Sequence, residues 1–398
     1  METRKIERMF NKGALLALIL VISSSLFSND RDSIPNVADY YDNIEISILT
    51  CSPGDELYST FGHTALRVKD RNGSSDFVYN FGLFDFSTPN FYMKFIRGRL
   101  NYMLGIQLYR DFIMQYRWEN KMVEEQVLSL SSEQKVKLLS KLNNLYLPQN
   151  RYYLYEFLTK NCTSQVRDIV YEIISVTAPD LNSLTGLSYR DNLNFYITGW
   201  TKFGINVILG SGVDRKITYF QEMFLPNNLR DGLSSTVVNG SPFVEKHRVI
   251  LEVDQLKVDK SGISITKVLS PMLLSVLMLI LSIFYFIKKR PSAHFNQIVI
   301  LISSLVGFFL ITVIAISDHT ELYYNYNLLF LNPFFIFVVI ASYKNWIKLE
   351  RVFSALSILS ISLIYVVWLA KIQYMELSFV FITLSLIVMF LSKCIFRR

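Results

Sequence analysis

The sequence is poor in histidine, cysteine and charged residues. Its 398 residues include four histidines and three cysteines. None of these stand at the spacing of a zinc-ligand pair, so we expect neither a metal site nor a cofactor. Charged residues make up 18% of the chain, against about a quarter in an ordinary soluble domain. The net charge of +7 comes without a basic motif or an aromatic RNA-binding pattern, so nucleic-acid binding is not indicated. Part of the chain is instead expected to lie in lipid.

Long hydrophobic runs are concentrated in the last third of the chain. A helix crosses the apolar core of a bilayer with about 20 residues. Five stretches predict such helices, at 268–287, 298–317, 328–343, 352–370 and 377–396. The third is the shortest, and Pro333 is expected to kink it. These stretches predict an all-α transmembrane domain of five helices over residues 267–398.

The connectors between these stretches differ in charge. Basic residues follow the first stretch at 288–290, the third at 344–351 and the last at 397–398. Basic connectors face the cytoplasm, which places everything before residue 268 on the other side of the membrane. At the N-terminus, four basic residues precede an apolar run at 13–27. This pattern is typical of a signal peptide, or of an N-terminal anchor if it stays uncleaved, over residues 1–28.

The exported region, residues 29–266, has the pattern of an α+β domain. Strand patterns occur at 44–51, 63–68 and 76–81, with hairpin residues between the last two. They indicate an antiparallel sheet, to which 126–130 and 247–253 are further strand candidates. A capping-box pattern at Ser131 and Gln134 predicts a helix through about Leu145. One-sided apolar spacing predicts a second helix from Thr163 to about Ile174. The sequence therefore predicts an antiparallel sheet with helices packed on it.

Two short segments of this domain carry candidate chemistry. His63 begins a predicted strand, and Cys162 stands at the predicted start of a helix. The free N–H groups and the dipole at a helix start stabilise a thiolate, so the pKa of such a cysteine falls. An imidazole on an adjacent strand can take the thiol proton, which is the papain-type arrangement. We therefore predict Cys162 as a nucleophile and His63 as its base.

Other interpretations of these residues remain open. Cys51 and Cys162 are the two cysteines of the exported domain, where they can form a disulfide instead. Cys51 also competes for the role of nucleophile, although the end of a strand stabilises a thiolate less well than a helix start. A lone histidine or cysteine is also often structural.

A papain-type site needs a third residue that orients the histidine. The strand after His63 offers Asp76, Tyr79 and Asn80, of which we favour Asn80, with Asp85 in reserve.

Four further residues are candidates for substrate binding. Tyr58 is a candidate for the oxyanion site, and Arg97 and Arg99 for a phosphate, although a solvated face would also explain the two arginines. His319, in the external connector after the second predicted membrane helix, either faces the active site or lies among lipid head groups.

Several longer segments resemble a known family. The order of a strand histidine followed by Asn161-Cys162 at a helix start is similar to the circularly permuted NlpC/P60 and lecithin:retinol acyltransferase-like thiol enzymes. More specifically, the chain resembles the Lnb-type lipoprotein N-acyltransferases of Bacteroidota. The likeness spans nearly the whole chain. Its segments are PGDELYSTFGHTALRV, YNFGLFDF, PNFYMKFIRGRLNYMLG and FLTKNCTSQVRD, with further matches at Leu209-Gly210, Asp214, 224–226, His319 and 325–329.

The resemblance implies a specific reaction and location. A fatty acyl chain would pass through a thioester on Cys162 to the α-amino group of the diacylglyceryl-modified N-terminal cysteine of a lipoprotein. The expected donor is a membrane phospholipid, and the lipoprotein's own diacylglyceryl group is the alternative donor. The protein would then be a multi-pass protein of the bacterial inner membrane, with its catalytic domain in the periplasm.

Two other functions fit parts of the sequence. A membrane-anchored periplasmic cysteine peptidase or amidase could use the same Cys–His pair on cell-wall peptides, although it would not need five membrane helices. A non-enzymatic envelope scaffold would instead hold Cys51 and Cys162 in a disulfide, which thiol labelling would reveal.

Overall fold

The computed structural model describes residues 37–54, 56–73, 75–174, 179–254 and 269–397. The predicted N-terminal signal or anchor segment and the predicted domain boundary at 266–267 lie outside these residues, as does Asp55. Helix α1, Val37–Asp42, belongs to a separate unit that ends at Asn43. The following description concerns the chain from Ile44 onwards.

The exported domain is built on an antiparallel sheet of seven strands, in the order β11–β5–β1–β2–β3–β4–β6. Two small two-stranded sheets, β7–β8 and β9–β10, accompany it. The strands are β1 Ile44–Cys51, β2 His63–Asp70, β3 Asp76–Leu83, β4 Asn101–Leu108, β5 Val123–Leu128, β6 Tyr152–Leu154, β7 Leu184–Ser188, β8 Lys216–Thr218, β9 Val237–Val238, β10 Ser241–Pro242 and β11 Val244–Leu251.

The predicted antiparallel sheet is confirmed. All three strand patterns form adjacent strands, and the register places Cys51 of β1 opposite His63 of β2. The two further candidates also form strands, β5 and β11, although both begin three residues earlier than expected. β1 pairs with β2 and β5 on its two sides, and other elements cover its faces, among them Phe112 and Tyr116, which pack against Leu49 and Cys51. Its whole length is therefore buried, which fits its apolar run.

Within the described residues from Ile44 onwards, eight helices accompany the sheet. Helix α4 begins with the expected capping box, in which Ser131 Oγ accepts a hydrogen bond from the Gln134 N–H and Gln134 Oε1 accepts one from the Ser131 N–H. Helix α5 packs on β2 and β3 through its buried residues Val166, Ile169 and Val170. The helices are α2 Phe91–Ile96, α3 Tyr109–Trp118, α4 Ser132–Tyr146, α5 Cys162–Ile174, α6 Tyr189–Asn194, α7 Gly199–Ile208, α8 Tyr219–Glu222 and α9 Pro226–Ser235.

The C-terminal region is helical. In the part of the chain that the structure describes, four segments are long and apolar enough to cross a membrane, at 294–316, 320–343, 347–369 and 377–396. An apolar helix of 17 residues precedes them. The helices are α10 Pro271–Ile287, α11 His294–Ile316, α12 Ile336–Tyr343, α13 Ile347–Leu369 and α14 Leu377–Phe396.

The third hydrophobic segment differs from the helix expected at 328–343. Only Ile336–Tyr343 is α-helical, and the chain before it forms three 3₁₀ turns at Thr320–Leu322, Tyr326–Leu329 and Pro333–Phe335. Side chains cap the last two turns, because Asn325 Oδ1 accepts from the Asn327 N–H and Asn332 Oδ1 from the Phe334 N–H. Pro333 has no N–H to donate to a preceding helical turn. These local bonds compete with a continuous helix and leave an irregular segment, residues 317–335, that we call the external segment.

Candidate active site

Cys162 is the first residue of helix α5. Asn161 caps this helix, since its Oδ1 accepts hydrogen bonds from the N–H groups of Thr163 and Ser164, both at 2.8 Å. The amide of Asn161 is itself fixed, because its Nδ2 donates to the carbonyls of Phe157 and Phe224. Asparagine is among the best residues at such a position. The cap therefore fixes the start of the helix, and with it the place of the sulfur.

His63 stands between Cys162 and Asn80. Its Nε2 donates to Asn80 Oδ1 at 2.6 Å. The hydroxyl of the next residue, Thr64, lies 3.0 Å from that of Thr163, which brings the His63 ring beside the Cys162 thiol, and each of the two groups shifts the pKa of the other. Because Nε2 is engaged by Asn80, Nδ1 is the ring nitrogen that remains for the thiol. The structure thus brings together the three residues predicted as nucleophile, base and orienting residue.

The electrostatics of this group favour an ion pair. Burial by itself raises the pKa of the Cys162 thiol, but the positive charge and the hydrogen bond of His63, with help from the Thr64 N–H, lower it to about 7. Burial lowers the pKa of His63, while the Cys162 thiolate and the bonds to Cys162 and Asn80 raise it above its usual value. A substantial fraction of the pair is therefore thiolate and imidazolium at neutral pH.

The start of helix α5 also limits where an oxyanion can bind. The cap occupies the N–H groups of Thr163 and Ser164, and the Gln165 N–H donates to the Asn161 carbonyl. Within the described part of the chain, the first-turn N–H without an acceptor is that of Cys162 itself. It lies on the residue that would attack a carbonyl, which is the position of an oxyanion donor in acyl transfer.

Gly82 forms part of the wall of the site. It lies at a bulge of β3, where the register with β4 shifts between Asn80 and Leu83, and its φ is +87°. A Cβ added there would lie 3.4 Å from the Cβ of Cys162. Glycine is thus needed for the backbone conformation, at a position where an added Cβ would come into van der Waals contact with the cysteine. Gly82 was not among the predicted site residues, although a glycine within a strand pattern is the signal of such a bulge.

Cys51 is a poor alternative to Cys162. It is fully buried, and burial raises the pKa of its thiol far above the usual value. Both cysteines are free, so the disulfide considered above is not present in the structure.

The other candidates for the orienting residue have different partners. Asp76 pairs with Arg67 at 2.6 Å, and the Tyr79 hydroxyl faces Asn143 at 3.5 Å. Asp85 holds a turn by accepting from the N–H and the hydroxyl of Ser87.

The candidate substrate-binding residues lie outside the Cys–His–Asn group. Tyr58, on the 3₁₀ turn Leu57–Ser59, has a ring that is 68% exposed. Arg99 pairs with Asp318 of the external segment at 2.6 Å. The ring of His319 contacts the Phe95 carbonyl at 2.9 Å through Nε2. Their expected roles in binding stay predictions, but Arg99 and His319 also have a structural role, because both join the exported domain to the membrane domain.

A second set of contacts fastens the two domains together. Asn325 and Asn327 of the external segment donate to the carbonyls of residues 206–208 at the end of helix α7. Gly210 follows that helix, and its N–H donates to the Glu321 carbonyl at 2.8 Å. These bonds, with those of Arg99 and His319, hold the domain that carries the thiol site against the external segment of the membrane domain.

No group of three or more histidine, cysteine, aspartate or glutamate residues could hold a metal ion within the described ranges. What the arrangement can do chemically rests on the protein's own groups: a thiolate, a proton acceptor held by Asn80, and a helix start.

These features define a class of protein: a membrane protein whose α+β domain, outside the membrane, carries a Cys–His–Asn group next to its membrane helices. Two family models match the chain. Residues 35–194 match the Lnb N-terminal periplasmic domain, and residues 260–398 match the Lnb transmembrane domain. The chain thus belongs to the Lnb family and consists of an N-terminal periplasmic domain and a C-terminal membrane domain. Comparison with curated proteins and with solved structures gave no significant match.

Proposed function

We propose that this protein is a lipoprotein N-acyltransferase of the bacterial inner membrane, and that it uses a circularly permuted papain-like or NlpC/P60-like thiol site. One arrangement carries the proposal. His63 Nε2 lies 2.6 Å from Asn80 Oδ1, and its neighbour Thr64 contacts Thr163, the residue after Cys162 at the start of helix α5. The same domain is held by the external segment of the membrane domain through Arg99 and Asp318. The donor would be a membrane phospholipid and the acceptor a diacylglyceryl-modified lipoprotein. Both are held in the membrane, which explains why a thiol domain is fastened to a helical bundle.

The first half of the reaction forms a thioester. The Cys162 thiolate attacks the carbonyl carbon of a phospholipid ester, and the N–H of Cys162 stabilises the oxyanion. The carbon–oxygen bond of the ester then breaks. The leaving alkoxide of the lysophospholipid takes the proton that His63 received from the thiol, so this half consumes and releases no net proton.

The second half transfers the acyl group. The α-amino group of the lipoprotein's N-terminal cysteine attacks the thioester carbonyl while His63 accepts the proton of the amine. The carbon–sulfur bond breaks, an amide forms, and the proton on His63 returns to the Cys162 sulfur. The site is thereby restored. Asn80 acts as a positioning residue, because its Oδ1 holds Nε2 and directs Nδ1 at the sulfur.

The proposal is tested by mass spectrometry of a reporter lipoprotein's N-terminal peptide. Cells that depend on this protein would carry the wild-type chain, Cys162→Ala or Cys51→Ala. We expect a third acyl chain on the peptide with the wild type and with Cys51→Ala, and its loss with Cys162→Ala. Persistence of the third acyl chain in Cys162→Ala cells would rule out the thiol mechanism and favour a cell-wall peptidase or amidase, or an envelope scaffold.

A further inference from the structure

The periplasmic domain exposes a group of large apolar side chains around helix α2. Four members form what we call the aromatic patch: Phe86, Tyr92, Met93 and Phe95. They are 61%, 75%, 49% and 46% exposed. An exposed apolar cluster of this kind marks a surface that meets a partner or a membrane.

The location of the patch identifies its partner. The external segment begins immediately after α11, whose last residue is Ile316. Its first residues hold the end of helix α2: Ser317 Oγ donates to the Ile96 carbonyl at 2.7 Å, and the Asp318 N–H donates to the Arg97 carbonyl at 3.0 Å. Helix α2 is therefore fixed at the level where a membrane-spanning helix ends.

The composition of the patch also fits a position at the membrane surface. Aromatic side chains are enriched where the hydrocarbon meets the head groups. Basic side chains accompany the patch at Lys94, Arg97 and Arg99, of which the two arginines are exposed. Arg99 pairs with Asp318, whereas Arg97 is an exposed cation that lipid phosphates could meet.

A row of aromatic rings connects the patch to the thiol site. Phe86 packs against Phe84 and Phe91, with ring centroids 4.9 Å apart in both pairs. Phe84 packs on Tyr102 at 5.2 Å, and Tyr102 stacks on Tyr155 at 4.2 Å. The row reaches the wall of the thiol site at Phe84, which stands two residues after Gly82 in the chain, and an added Cβ at Gly82 would lie 3.4 Å from the Cys162 Cβ.

We propose that the aromatic patch is a lipid-docking surface that inserts among the phospholipids of the outer leaflet beside α11 and delivers their acyl chains to Cys162 along this row of rings. The patch puts apolar and aromatic groups at the depth of the ester bonds, and the row provides an apolar route from that depth to the sulfur. Docking follows from the surface alone, whereas delivery rests on the proposed function.

Docking is tested by photo-crosslinking with the full chain in nanodiscs of phosphatidylethanolamine and phosphatidylglycerol. A benzophenone amino acid replaces Tyr92 or Phe95, and phospholipid adducts are measured by mass spectrometry. The matched control replaces Phe77, a ring that is 38% exposed and pairs with Leu108. Phe77 lies far from the patch, because its partner Leu108 is at the other end of β4 from Asn101, which follows helix α2. The seven residues between them span about 23 Å at the usual rise of a strand.

We expect phospholipid adducts at positions 92 and 95 to exceed those at position 77 at least fivefold. Equal yields at the three positions, or adducts at 92 and 95 with protein in place of lipid, would overturn the docking surface.

Delivery is tested with the double variant Tyr92→Ser/Phe95→Ser. We expect the rate of reporter acylation to fall about tenfold, while the rate of Cys162 alkylation by iodoacetamide stays unchanged because the thiol site is intact. An unchanged acylation rate would overturn delivery. If the wild-type chain crosslinks to lipid but does not acylate the reporter, the proposed function fails while the docking surface stands.

Discussion

Replacing Asn80 by alanine tests how the site controls its thiol. The side chain is 6% exposed, and its Oδ1 accepts the 2.6 Å hydrogen bond from His63 Nε2. A hydrogen bond to a charged group contributes about 1.5 to 3 kcal/mol, and a tenfold change in rate corresponds to about 1.36 kcal/mol. Asn80→Ala should therefore lower the acylation rate about 10- to 150-fold, because the imidazolium loses the bond that stabilises and orients it.

The same change should alter the pH dependence of the thiol. Asn80 raises the pKa of His63, and the charge of His63 helps to lower the pKa of Cys162 to about 7. Alkylation of Cys162 by iodoacetamide should therefore increase through pH 7 in the wild type. In Asn80→Ala a weaker imidazolium leaves the thiol pKa higher, so the midpoint should move to higher pH.

Two matched variants complete this experiment. Asn80→Asp keeps an acceptor oxygen for Nε2 and should restore most of the acylation rate. Asp85→Ala removes a carboxylate that only caps a turn with Ser87 and should leave rate and midpoint unchanged. If Asn80→Ala alters neither the rate nor the midpoint while Asp85→Ala does, the assignment of the orienting residue is wrong.

Two glycine substitutions test the surroundings of the site. Gly82→Ala should lower the acylation rate at least tenfold, since a side chain is strained at a φ of +87° and a shift of this bulge would be passed to Cys162, which it contacts. Gly186→Ala, with a similar φ of +80° and nothing within 4 Å, introduces the same backbone strain away from the site, and equal losses in the two variants would contradict a role of Gly82 in the wall of the site. Gly210→Ala should lower the free energy of unfolding by about 2 kcal/mol or more, because its Cβ would lie 1.8 Å from the Tyr323 carbonyl oxygen at the domain junction. Denaturant titration measures this against Gly212→Ala, which has open space around it, and equal stabilities would show that the junction does not depend on the close approach.

The parts of the fold with local signals were predictable from the sequence. The alternating run of β1 and the capping box at Ser131 each depend on neighbouring residues, and both appear where expected. β4 was not predicted, because its sequence NYMLGIQL includes a glycine and polar residues and becomes a strand through pairing with β3 and β6. Strand propensity there is decided by neighbours far away in the chain.

The external segment of the membrane domain was also not predictable, because residues far away in the chain decide its structure. Residues 328–335 are apolar enough to predict a helix, but the asparagines just before them bond to the carbonyls of residues 206–208. Those bonds span more than a hundred residues of sequence, so no local pattern can reveal them. The same applies to Arg99 and His319, whose residue types suggested phosphate or head groups and whose side chains join the two domains.

The candidate site was predictable from the sequence in part. Cys162 at a helix start and His63 at a strand start could be recognised from residue types and local patterns, and the choice of Asn80 over Asp76 and Tyr79 agrees with the contacts of the structure. Gly82 and the tyrosines around the sulfur depend on how β3, β4 and β6 come together, which only the three-dimensional structure shows.

The most direct test of the central claim is to trap the acyl group on Cys162. The purified full chain would be incubated with phospholipid in the absence of a lipoprotein acceptor, and the peptide that contains Cys162 examined by mass spectrometry. The account predicts a mass increase of one fatty acyl group that neutral hydroxylamine removes and that Cys162→Ala lacks. Acylation of a reporter lipoprotein without any such adduct, or by Cys162→Ala protein, would contradict it.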